Sequence, residues 1–131
     1  MRLIWAILTL SALLATGACS SGFNFKELSG TIDKMDLIKF DMETGDPIKT
    51  ITIDSEKDIS RFFATISRKE APAMQCEANY RLDCYKKNGE LLLIQINSEE
   101  FCQSITFMVD DEVHHHLIKP KGITMLNDFL K

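Results

Sequence analysis

Proline and glycine are scarce, with three and six among 131 residues. They gather into no Pro/Gly/Ser-rich linker, and no low-complexity tract interrupts the chain, so the sequence offers no boundary for a second domain. Positive charge is also in deficit: 15 lysines and arginines face 19 acids, for a formal net charge of −4. That balance excludes the electrostatic footprint of a nucleic-acid partner and of a polybasic lipid-binding face. Catalytic signatures are missing. There is no Gly-x-Ser-x-Gly elbow, no phosphate-binding glycine loop and no His-Glu-x-x-His pattern. The adjacent acids Glu99–Glu100 and Asp110–Asp111 fall in expected turns, where paired acids serve solvation rather than proton transfer. The expectation is a protein that is not an enzyme and carries no cofactor.

What is present begins at the first residues. Arg2 supplies a positive charge, and Leu3 to Leu14 is apolar apart from Thr9 and Ser11. Small residues follow, Ala15-Thr16-Gly17-Ala18, and then Cys19. A basic start, an apolar run too short to span a bilayer and a small-residue end describe a secretory signal. An ordinary cut after Ala18 and an uncleaved helix are the other readings of the same residues.

Thr16-Gly17-Ala18-Cys19 resembles the lipobox of bacterial lipoproteins. The resemblance implies a diacylglyceryl group on the Cys19 thiol, cleavage before that residue, and acylation of the new amine. Two or more chains give stable anchoring, whereas one binds only marginally. Ser20 in place of aspartate implies sorting to a Gram-negative outer membrane, facing the periplasm. The division that follows is a signal peptide over 1–18, a lipidated cysteine and tether over 19–28, and one domain over 29–131.

Cysteine usage agrees with export. With Cys19 lipidated, Cys76, Cys84 and Cys102 remain, enough for one bridge and one thiol. No Cys-x-x-Cys spacing supports a zinc site built from them.

Periodicity supplies the elements. Ile38–Met42 and Lys49–Ile53 alternate around Thr44-Gly45-Asp46-Pro47, a hairpin with Ile38, Phe40, Met42, Ile51 and Ile53 inward. Asp54 or Ser55 caps a helix from Glu56 to about Arg68, and its stripe is Ile59, Phe62, Phe63 and Ile66. Glu70 to Ala78 reads as irregular. Tyr80–Tyr85 and Glu90–Ile96 form a hairpin around Asn88-Gly89, expected as a type I′ turn. Phe101–Val109 and Val113–Ile118 follow as strands, and a short closing helix contains Ile123, Leu126, Phe129 and Leu130. The order ββαββββα defines an α+β fold: an antiparallel sheet of about six strands with two helices on one face. In such a meander, Cys76 and Cys102 lie at one end of the sheet, so they are the preferred disulfide, with Cys84 buried as a small hydrophobe.

His114-His115-His116 is the remaining chemical feature. In a strand, His114 and His116 project together and can bind a transition metal, with Asp110, Asp111 and Glu112 near in sequence as oxygen donors. The rival reading is a polar edge strand, with His115 facing the core beside Val113 and Leu117.

The function expected is therefore a lipid-anchored envelope protein acting as a non-enzymatic binding module, an adaptor, inhibitor or immunity-type protein. Its partners are the membrane, through the anchor, and an envelope protein. The alternative is a metal- or small-ligand-binding lipoprotein using His114 and His116.

Overall fold

The computed structural model describes residues 22–73 and 75–131. Cys19, the leader and Ser20–Ser21 lie outside the described residues. The elements run α1 (Phe25–Thr31), β1 (Ile32–Phe40), β2 (Pro47–Ile53), α2 (Glu56–Phe63) and β3 (Ile66–Glu70). They continue as β4 (Tyr80–Lys86), β5 (Leu91–Asn97), β6 (Ser104–Val109), β7 (Glu112–Ile118) and α3 (Pro120–Phe129). The strands form one antiparallel sheet in the order β2-β1-β4-β5-β6-β7-β3. The α+β expectation holds, and the described residues give seven strands and three helices rather than six and two.

The core lies between one sheet face and the helices. In register across five strands run Leu37, Leu82, Ile94, Phe107 and His114. Phe25 and Leu28 of α1, Ile59, Phe62 and Phe63 of α2, and Ile123 and Leu126 of α3 join the same apolar cluster. Ser55 caps α2 as expected, its hydroxyl accepting the Asp58 N–H at 3.2 Å.

Several expectations are corrected. The segment before residue 29 is no tether throughout: Phe25 and Leu28 are buried in the core, capped by Asn24, so the fold begins earlier. Helix α2 stops at Phe63, and Ile66 sits on β3 instead, opposite Ile118. β1 starts at Ile32 and turns Met35 and Leu37 inward, opposite Ile53 and Ile51. Ile51 and Ile53 face inward as expected, but β1 takes the opposite phase: Ile38, though buried, lies on the other face from Leu37 and outside the core cluster, and Met42 is exposed.

Asp110–Asp111 is a turn as expected, but Asn88-Gly89 is not the expected type I′ turn. Gly89 has φ +93°, but positive φ outside glycine is confined, among the described residues, to Asp110 at 52° and Asp111 at 65°. Asn88-Gly89 therefore sits in a wider loop, closed by Lys86 N–H to Glu90 O at 2.9 Å and Gly89 N–H to Lys86 O at 3.0 Å. Asp110–Asp111 forms the two-residue primed turn, pairing Val109 with Glu112. That pairing fixes the phase of β7: Phe107 is inward, so its partner His114 is inward too, and His116 with it.

Cys76 and Cys102 are joined, with Cα atoms 6.3 Å apart, linking the β3–β4 loop to the β5–β6 loop. Asn79 and Ser98 clamp the same loops through two side-chain bonds of 2.6 and 2.9 Å. Cys84 is the free cysteine among the described residues and is buried beside Leu82 on β4.

Candidate functional site

Two surfaces carry chemistry beyond packing. The first is built on β7 and β3. His116 is 0% exposed, at the end of the row Tyr80, Ile96, Ile105, His116. The expected orientation, with His115 in the core beside Val113 and Leu117, is overturned: Val113 and Leu117 are exposed, and His115 bonds Thr106 at 3.0 Å on the opposite face.

β3 completes the cluster because it is bulged. Ile66 pairs with Ile118 and Glu70 with His116, so β3 has two more residues than β7 between those pairs. Bulges re-aim side chains and backbone groups. Here the Ser67 carbonyl accepts the His116 Nδ1–H at 2.8 Å, and Glu70 comes within 2.6 Å of His114 Nδ1. A nitrogen of each histidine and a carboxylate oxygen of Glu70 lie within 4.8 Å of one another. Among the described residues, His116 Nε2 is a buried side-chain atom without a hydrogen-bond partner. Burial lowers the His116 pKa, against backbone bonds from Ser67 and Lys69 and the charge of Glu70, which raise it.

Aromatic rings frame the pair. Phe107 stacks on both imidazoles, 5.2 Å from His114 and 5.8 Å from His116. Phe23 leans over them at 5.4 and 6.0 Å, and Phe25 meets His116 edge-on at 4.9 Å. A cleft of about 480 Å³, lined by Phe23, Lys69, Glu70, Glu112 and His114, leads to the group from outside. Gly22 closes its rim at φ +80°, where a Cβ would run into the Arg68 backbone.

The structure thus brings His114 and His116 together. Of the acids near them in sequence, Glu112 reaches 4.0 Å from His114 Nε2, while Asp110 and Asp111 are occupied in the turn. The carboxylate that joins the cluster, Glu70, arrives from a strand that sequence periodicity does not show. The β-branched pair Thr65–Ile66 is the one local hint of it.

The second surface is the sheet face away from the helices. Leu93 is 46% exposed, Met108 56% and Val113 52%. Met108 pairs with Val113, and one step beyond the Ile94–Phe107 pair Leu93 comes level with Met108. The three line a shallow depression with Gln95 and Thr106, and Leu91 and Leu117 extend the apolar area on either side. Toward β1 and β4 the face turns polar, and several of its charges find partners within the chain. Arg81 pairs with Asp83 at 2.7 Å, Asp36 accepts from Thr52 at 2.7 Å, and Lys34 lies 5.2 Å from the Tyr85 ring.

Comparison with protein-family models, with curated proteins and with solved structures finds no match to this chain.

Proposed function

We propose that this chain is a non-enzymatic binding module, tethered to the bacterial envelope through Cys19, whose open sheet face docks on a partner protein. One observation supports it above the rest: an apolar patch on β5, β6 and β7, led by Leu93, Met108 and Val113, remains in water although three helices cover the other face. Contiguous exposed apolar area of this kind marks interaction surfaces. Of the neighbouring charges, Arg81 and Asp83 are already paired within the chain, and Asp36 accepts a hydrogen bond from Thr52. The occupant is the apolar face of one folded envelope protein. Gly22 stands three positions after Cys19, so the anchor holds the domain within about 10 Å of chain from the bilayer. No helix among the described residues is long and apolar enough to cross a membrane.

The test places a photo-crosslinking side chain at Leu93 in the full chain, expressed in its native envelope. One discrete protein adduct, identified by mass and abolished by Met108→Asp, supports docking. Adducts only with lipid or only with a second copy, or none, overturn it. Intact mass of the membrane-extracted chain reports acylation of Cys19 independently.

A further inference from the structure

We infer that Glu70, His114 and His116 form a binding site for one divalent ion of the zinc–copper group, separate from the docking face. Imidazole nitrogens with a carboxylate are the donor set such ions take; calcium and magnesium prefer all-oxygen shells. The three side chains converge from β3 and β7, with donor atoms within 4.8 Å. A tetrahedral ion with bonds near 2.1 Å asks for donors roughly 3.4 Å apart. Glu70, now 2.6 Å from His114 Nδ1, has to open that contact to admit an ion, and its side chain, 59% exposed on an edge strand, has room to do so.

The supporting shell resembles that of a ligand set. Metal-binding histidines characteristically donate their second ring N–H to a carbonyl or carboxylate, which fixes the ring. His116 does so to Ser67, at 2.8 Å, and leaves its other ring nitrogen without a partner among the described residues. A buried lone pair without a partner is destabilising, and an ion removes that deficit. His114 Nδ1 and Glu70 are joined by a 2.6 Å hydrogen bond. An ion takes both groups in place of that bond, the imidazole keeping its proton on the other ring nitrogen, and takes a nitrogen of His116 as third ligand. The cleft beside Lys69 and Glu112 provides the entry path, and exogenous water completes the shell from that side. Phe23, Phe25 and Phe107 keep the rest of the surroundings apolar.

The experiment is equilibrium dialysis of the full chain in detergent against zinc and, separately, copper, with thermal melts in parallel. One ion per chain and a raised Tm are expected. His114→Gln and Glu70→Gln, both at accessible positions, should keep the far-UV spectrum and lose saturable binding. His115→Gln, on the opposite face, should bind like the parent. Three results would overturn the site: no saturable binding by the parent, full binding by His114→Gln, or equal loss in His115→Gln. Displacement of zinc by equimolar calcium or magnesium would do the same.

Discussion

His116 and Ser67 are 49 positions apart in the chain and joined by a 2.8 Å bond from the imidazole Nδ1–H to a backbone carbonyl. The contact exists because β3 bulges between Ile66 and Glu70. It couples the last strand of the meander to the short strand at the border, so the position of Glu70 and the orientation of His116 are set together.

The Cys76–Cys102 bridge closes a loop of 26 positions. In the chain-entropy model such a loop is worth about 3 to 3.5 kcal/mol. The double variant Cys76→Ser/Cys102→Ser is expected to lose roughly that amount in urea denaturation, with a lower midpoint and an unchanged β-sheet spectrum.

Gly122 in α3 is buried, and a Cβ there would collide with Thr65 Oγ1 and meet the Ile118 side chain at 2.8 Å. Alanine gains up to about 1 kcal/mol of helix propensity, but overpacking costs about 1–3 kcal/mol. Overpacking wins, because Thr65 is held in place by its 2.6 Å bond to the Phe62 carbonyl. Gly122→Ala should lower Tm by about 5 °C.

Burial pushes the Cys84 thiol up to about 12, with Asp83 adding to the rise and Lys86 opposing it. The unfolded thiol ionises near its ordinary value, so between about pH 9 and 12 the unfolded chain holds fewer protons than the folded one. Stability therefore falls as pH rises through that window, by about 1.4 kcal/mol per unit from this group. Urea midpoints at stepped alkaline pH should show a shallower decline in Cys84→Ala than in the parent.

Neighbouring positions on β5 should respond in opposite ways to charge. Leu93 is 46% exposed and Ile94 is 0% exposed. Leu93→Asp should change stability by no more than about 0.5 kcal/mol, as surface substitutions do. Ile94→Asp buries an unpaired carboxylate in the core and should abolish cooperative unfolding. Calorimetry of the two variants checks both.

The meander and α2 are legible in the sequence because their signals are local. Alternation over Tyr80–Tyr85 and the Ser55 cap need no distant partner. β3 is not legible: it keeps one core residue, Ile66, and its form depends on β7 and the bulge. The same is true of Glu70, whose meeting with His114 spans 44 positions. The phase of β7 turns on a single choice, since two aspartates at positive φ make a two-residue turn that aspartate seldom makes without glycine. Expecting the apolar Val113 and Leu117, both of which are exposed, to face the core instead leaves the histidine pair on the wrong side. α1 is seven residues long, too short to stand on periodicity, and holds through Phe25 and Leu28 in the core.

Each border of the sheet is guarded by a different device. At β3, the Phe23 N–H occupies the Arg68 carbonyl at 2.9 Å, and the bulge breaks the spacing that an incoming strand would need. At β2, the outermost strand on the other side, Pro47 offers no donor and Lys49 reaches back to the Leu130 carbonyl. Neither margin presents a clean ladder for templated growth. Crowded at high density on a two-dimensional support, copies of this domain would resist conversion into fibrils.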